Sequence, residues 1–296
     1  NYYSIIAPAK LNLNLFVNGK HKNGLHLLES DICFLKLSDK IYFKFNQYDT
    51  FFQNRTNKSL QINTKSNLIL ESLNAFRQLT GWDKRFQIYL DKNIPIGAGL
   101  GGGSADAAAT LILLRKLYND ENKFQKLSLS SLYSIGSELG SDVPSCLQSK
   151  DLHLRGTGNK ISRIKIPNNY YFLIINPNIN LSTSDVFKHF SFFPNEQKVT
   201  NNIFFENINI YNSLLSSAIY LAPSISNILL LLKNIPNIVA YGMTGSGSSC
   251  FGIFNDINDI LSFKNNFNKK QFLWYGKRKN YSVNRVCSFK TLENNF

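Results

Sequence analysis

No stretch of this sequence is long and apolar enough to suggest a membrane span. Its longest unbroken aliphatic run, residues 228–232, falls far short of the roughly 20 residues a bilayer requires. Residues 1–10 do not join a basic region to a long apolar one, so no secretory signal is expected. Cysteine is scarce and dispersed. Cys33, Cys146, Cys250 and Cys287 form no CxxC pair, which argues against a disulfide frame or a zinc site and for reduced thiols in a cytoplasmic protein. His21, His26, His153 and His189 are equally scattered, so no histidine-rich metal cluster is expected. Neither an internal repeat nor a Gly/Ser- or Pro-rich linker is visible.

Acidic residues are few as well. Nineteen Asp and Glu against 33 Lys and Arg leave a formal charge of +14, a value that suggests nucleic-acid binding. Yet 25 of the basic residues are Lys, only eight are Arg, and they are spread along the whole chain. Asn, Ile, Phe and Tyr are abundant too, and these are the types, with Lys, that AT-rich codons supply. Compositional bias therefore accounts for the charge. A dispersed lysine excess still concentrates anionic substrates, whereas a groove-binding face would need basic residues clustered on one element.

What the chain does have is apolar and aromatic. Hydrophobic residues make up 43% of it, with 23 Phe and 14 Tyr, ample for large cores, and its length favours two domains. Leu11, Leu13, Leu15 and Val17 alternate with polar residues and predict an early strand; Ile41, Phe43 and Phe45, then Phe86, Ile88 and Leu90, repeat the pattern. Ile69, Leu70, Leu73 and Phe76 predict a helix capped by Asn67, and Leu129, Leu132, Ile135 and Leu139 another that ends at Gly140. A strand over residues 171–175 and helices over residues 214–221 and 225–232 complete the reading. Strands and helices mix in both halves, an α+β pattern. A boundary falls between residues 150 and 170, drawn as domains 1–160 and 161–296.

The most informative stretch is IPIGAGLGGGSADAAA, residues 94–109. Six of the eight residues from 97 to 104 are Gly or Ala, so successive backbone N–H groups can turn inward unobstructed. The helix opening near Ser104 adds free N–H groups and the positive end of its dipole. Strand, glycine loop and helix N-terminus together make a phosphate site. It is not a Walker A loop, because Gly103 precedes Ser104 and the Lys–Ser/Thr pair is missing. Gly97, Gly99 and Gly102 formally satisfy GxGxxG, with Asp120 where a ribose-binding acid would sit. The preceding strand alternates, however, whereas a doubly wound sheet needs a continuous apolar run.

Four blocks in order, APAKLNLNLFVNGKHKNGLH at 7–26, IPIGAGLGGGSADAA at 94–108, LGSDVP at 139–144 and TGSGSSCFG at 244–252, resemble the galactokinase–homoserine kinase–mevalonate kinase–phosphomevalonate kinase superfamily. The likeness spans essentially the whole chain. The first and third blocks resemble the branch that phosphorylates the 2-hydroxyl of a cytidine diphosphate-linked methylerythritol on the non-mevalonate isoprenoid route. The resemblance implies an ATP- and Mg²⁺-dependent small-molecule kinase, an N-terminal ATP-binding half like the second domain of ribosomal protein S5, and a ferredoxin-like C-terminal half. Asp142 matches the family's base and Lys10 its electrostatic partner. On their own, Asp142 would be read as a turn cap and Lys10 as a solvated strand residue. Pro95, Ile96, Gly97, Ala98, Gly99, Leu100, Gly101, Gly102, Gly103, Ser104 and Ala105 match the ATP loop, and Asn67 and Lys92 match positions near adenine and phosphates.

For the acceptor, the resemblance implies Asn12 at the erythritol end, His26 at the cytosine edge and Phe187 stacked on the cytosine face. Alone, His26 reads as a loop residue and Phe187 as core. Ser104 suits a Mg²⁺ ligand or a helix cap equally, and the turn at residues 245–247 suits either the acceptor's diphosphate or packing. One departure stands out: Leu25 occupies a position that is usually aromatic, and it can cover a base but cannot stack on it. The implied partners are the small-molecule acceptor, with no nucleic acid and no membrane; monomer and homodimer both fit. The rival readings are a related kinase acting on homoserine or a mevalonate derivative, and an RNA-binding module suggested by the charge. No motif accounts for residues 195–212 or for the basic segment 277–285.

Overall fold

The computed structural model describes residues 1–296 except 23, 55–66, 159, 191–202, 266, 268–269 and 290–296. The chain opens with strand β1 (Tyr2–Asn12), turns through residues 13–15, and continues as β2 (Phe16–Lys20) and the 21-residue β3 (His26–Asn46). There follow β4 (Thr50–Asn54), helix α1 (Leu68–Thr80), β5 (Arg85–Asp91), α2 (Gly102–Glu121), α3 (Ser130–Leu139), α4 (Val143–Gln148), β6 (Leu152–Gly156) and β7 (Lys160–Arg163). These strands form one sheet around β3, which pairs with β1, β2, β5 and β6. A second sheet combines β8 (Tyr171–Asn176) with later strands. After it come α5 (Thr183–His189), the short pair β9 (Phe204–Phe205) and β10 (Ile208–Asn209), α6 (Leu215–Leu221) and α7 (Ser224–Lys233). Then β11 (Ala240–Met243), β12 (Cys250–Phe254), α8 (Ile257–Asn265) and β13 (Phe272–Gly276) complete an antiparallel sheet of order β11-β12-β8-β13. The last strand, β14 (Cys287–Phe289), returns to pair with β1.

Burial explains the layering. One face of the first sheet packs Ile32, Phe34, Ile41 and Phe43 against helices α1 to α4. Its other face sets Ala9, Leu11, Cys33 and Leu35 against Phe172, Ile174, Phe251 and Ile253 of the second sheet. Leu173 and Ile175 point the opposite way, into Ala218, Ile225 and Ile228 of α6 and α7. Strand β8 is thus apolar on both faces, with each fully buried large side chain contributing about 1.5–3 kcal/mol.

The single early strand expected from Leu11 to Val17 is divided. Strand β1 ends at Asn12, and the Asn14 side chain fixes the turn by accepting from the Asp31 N–H at 2.6 Å and donating to Asp31 Oδ2 at 2.8 Å. Alternation alone does not register such a bend. The boundary drawn at residue 160 falls in β7 of the first sheet, and β14 lies on that same sheet. Much of segment 277–285 serves that return: Arg278 pairs with Asp151 at 2.6 Å, and Tyr281 donates to the Leu35 carbonyl at 3.1 Å. Of residues 195–212, 195–202 lie outside the described residues. Asn212 donates to the carbonyls of Met243 and Gly245 and so holds the second glycine turn.

Candidate active site

A cavity of about 420 Å³ opens where the end of β1, the loop after β5, the N-terminus of α2 and the segment before α4 converge with α5 and the 245–246 turn. Its size suits a small-molecule ligand. Lys10 and Asp142, 132 positions apart in sequence, meet there with Nζ 2.8 Å from Oδ2. A change of register in the β1–β3 pairing between Pro8 and Lys10 marks a bulge, the kind of irregularity that re-aims a side chain beside a site. Asp142 precedes α4 without making a side-chain cap bond, so the cap reading does not describe it. Its side chain keeps 35% of its exposure, while that of Lys10 keeps 6%. Lys10 Nζ also donates to Asn12 Oδ1 at 2.8 Å.

The glycine loop serves two purposes. A Cβ at Gly97 would strike Asn180, and one at Gly99 would come within 2.3 Å of the Thr244 carbonyl. These two glycines let the loop lie against the second half of the chain, where Leu181 and Ser249 donate to the carbonyls of Gly97 and Ala98. Gly101, Gly102 and Gly103 line the cavity, as Gly97 and Gly99 also do. Gly101 caps α2 with φ of 63°, a conformation that costs other residues, and a Cβ there would lie 2.6 Å from Lys10 Cγ. Leu100 and Ala105 are buried beneath the loop, outside the cavity lining. Helix α2 begins at Gly102, close to where it is expected, but its cap is Gly101, so Ser104 is no cap. It sits in the first turn and lines the cavity.

Lys92 is enclosed rather than free. Its Nζ is 2.5 Å from Asp39 Oδ2 and 2.6 Å from Asp106 Oδ2, and all three residues are buried. Asp39 Oδ1 accepts two backbone N–H bonds, from Asn93 at 2.6 Å and Ile94 at 2.8 Å. Burial, and next the Asp39 charge, push the Asp106 carboxyl well above the usual range against the pull of Lys92. Burial lowers Lys92, but the two carboxylates more than offset it and hold the ammonium charged. Asn67 caps α1 as expected, accepting from the Ile69 N–H at 2.9 Å, and it also lines the cavity.

Phe187, expected at the acceptor end, lines the cavity. The His26 ring stacks on it, with centroids 4.5 Å apart and planes at 27°, while Phe190 stands edge-on to the imidazole. Burial, then the Lys20 charge, lower the His26 pKa. His26 and Leu25 do not line the cavity, and Leu25, whose carbonyl accepts from the His21 N–H in the β2–β3 turn, is 55% exposed. Ser30, Asp106, Thr183 and Ser246 line it too. Ser30 carried no motif signal. Asp106 lies in the glycine block with no role of its own implied, whereas Ser246 belongs to the 245–247 turn that suits the acceptor's diphosphate or packing.

The GHMP kinases N terminal domain family matches residues 67–150, from the cap of α1 to the end of α4. A solved 4-(cytidine 5'-diphospho)-2C-methyl-D-erythritol kinase superposes with a TM-score of 0.75 and 24% identity, covering 94% of this chain and all of the other. A mevalonate kinase superposes at 0.65 with 17% identity, covering 94% of this chain and 99% of the other. The chain thus has the fold of the GHMP kinases. At the sequence level, the 4-diphosphocytidyl-2-C-methyl-D-erythritol kinase of Ruthia magnifica subsp. Calyptogena magnifica is 33% identical over 90% of each chain. That of Prochlorococcus marinus strain MIT 9215 is 34% identical over 96% of this chain and 94% of its own. The chain belongs to the 4-diphosphocytidyl-2-C-methyl-D-erythritol kinase family.

Proposed function

We propose that the chain transfers the γ-phosphoryl group of ATP to the 2-hydroxyl of 4-diphosphocytidyl-2-C-methyl-D-erythritol. The observation that carries this reading is the Lys10–Asp142 contact of 2.8 Å in the same cavity as Gly101, Gly102 and Ser104. Asp142 accepts the hydroxyl proton as the oxygen–phosphorus bond forms and the bond to ADP breaks. Lys10 has three donors; Asn12 and Asp142 take two, and the third serves the charge developing on the transferred group. The loop amides and the α2 N-terminus receive the nucleotide phosphates.

Mg²⁺ belongs to the same reading. No group of three or more His, Cys, Asp and Glu among the described residues is arranged to hold a metal ion. Mg²⁺ needs no such cage, since it commonly takes one or two protein oxygens plus phosphates, and the Ser104 hydroxyl at the cavity wall fits that donor set. The ion would neutralise charge between the β- and γ-phosphates. A cytoplasmic setting is supported by four cysteines that are all unpaired thiols. Among the described residues no helix is long and apolar enough to cross a membrane. The S5-like and ferredoxin-like description of the two halves is likewise part of the proposal.

The test is ATP turnover with the cytidyl acceptor, homoserine and mevalonate in parallel. Turnover of the cytidyl acceptor alone is expected. Faster turnover of either of the others would overturn the substrate assignment.

A further inference from the structure

Asn12, expected to contact the acceptor, has both ends of its amide engaged by the protein. Its Oδ1 accepts from Lys10 Nζ at 2.8 Å and its Nδ2 donates to Ser30 Oγ at 2.7 Å. Ser30 Oγ in turn donates to the Asn14 carbonyl at 2.5 Å. Lys10, Asn12 and Ser30 are each at most 5% exposed. Each link has one permitted direction. An ammonium only donates, so the amide oxygen must face Lys10 and the NH₂ must face Ser30. With one lone pair of Ser30 taken by that NH₂, the hydroxyl hydrogen goes to the Asn14 carbonyl. The Asn14 end is fixed as well, through its two bonds to Asp31, which the His153 ring meets at 2.7 Å.

We infer that Ser30 and Asn12 are positioning residues for the catalytic lysine: Ser30 orients the Asn12 amide, which sets Lys10 Nζ against Asp142. This rests on the reading of Lys10 and Asp142 given above. Without the Ser30 hydroxyl the Asn12 amide keeps only the Lys10 end of its two anchors, and its NH₂ is left buried without that acceptor, which favours a shift of the amide away from the lysine. Small displacements of a catalytic group are costly, with about 100-fold for a 1 Å shift as an upper guide. For Ser30→Ala we expect kcat to fall about tenfold, with KM for ATP and for the cytidyl acceptor within about twofold of the parent.

The decisive measurement is a double-mutant cycle. In a Lys10→Met background Ser30→Ala should cost little more, because the lysine it positions is gone. Ser30→Cys, which fills the same space with a poor acceptor, serves if Ser30→Ala does not fold, and the same loss is expected. A rise in acceptor KM at unchanged kcat would return Asn12 and Ser30 to substrate binding and overturn the inference. So would a Ser30 effect that adds in full to Lys10→Met. A parent that turns over no acceptor would end the functional reading and this inference together; a parent that turns over normally, with unaffected Ser30 variants, would end this inference alone.

Discussion

Lys10 and Lys92 line the same cavity and are buried to nearly the same extent, yet their charges are met differently. Lys10 faces one carboxylate, Asp142, whose side chain remains 35% exposed. Lys92 lies between two, Asp39 and Asp106, whose side chains keep 0% and 6%. A cation compensated once, by a partner open to the cavity, retains capacity for an incoming phosphate. One enclosed by two buried carboxylates is committed to the fold: it ties the start of the loop to β3 and α2. The contrast distinguishes a lysine placed to act on a ligand from one that holds the wall, although the resemblance implies a site role for both, Lys10 beside the base and Lys92 near the nucleotide.

The sharpest way to test the contrast is to remove each partner. Asp142→Asn keeps shape but cannot take a proton, so kcat should fall about 10²–10⁴-fold, while ADP affinity measured by calorimetry and urea stability stay near the parent. Near-normal turnover in the folded variant would remove Asp142 from the base role. Lys92→Met should do the reverse. It leaves two carboxyls buried without their cation, and breaking such a buried pair costs about 3–5 kcal/mol of stability, read by urea unfolding. If Lys92→Met unfolds like the parent but loses nucleotide affinity, Lys92 is a ligand contact and the comparison fails.

Next in size is the loop. Gly101→Ala places a Cβ 2.6 Å from Lys10 Cγ at a residue whose φ is 63°, so it strains the backbone and displaces the lysine together. We expect at least about a tenfold loss of kcat. Gly102→Ala meets Ile94 Cγ2 at 3.0 Å and Lys92 Nζ at 3.2 Å without a positive φ, and should lose clearly less. Equal losses would mean that the loop acts through its amides alone, irrespective of Lys10.

Local chemistry was legible in the sequence where its cause is local. Asn67 as the cap of α1, Gly140 as the end of α3, and the glycine run before α2 depend on neighbours a few residues away. The double compensation of Lys92 depends on partners 53 and 14 positions off, and no periodicity encodes that. Nor does any pattern announce that β14 returns to β1, that Pro8 and Lys10 flank a bulge, or that Ser30 carries the amide of Asn12. The four blocks each supply residues to the cavity wall, but which atoms face one another is a property of the folded sheet.

The finest test lies at the expected acceptor end, again between two residues to which the resemblance implies acceptor-site positions. Phe187 lines the cavity and stacks on His26, whereas Leu25 is exposed in the β2–β3 turn. An aromatic contact is worth about 0.5–1.5 kcal/mol beyond its area, roughly 2- to 13-fold in affinity. Phe187→Ala should therefore weaken the cytidyl acceptor by about that factor and leave ADP binding unchanged. It should also uncover His26, whose pKa is lowered first by burial, so the imidazole titration followed by NMR should move upward. Leu25→Tyr adds a ring at a position outside the cavity, and we expect acceptor affinity to change by less than about twofold, below the smallest value for an aromatic contact. A clear tightening by Leu25→Tyr would mean that the β2–β3 turn folds over the base on binding, and Leu25 would then belong to the acceptor site on equal terms with Phe187.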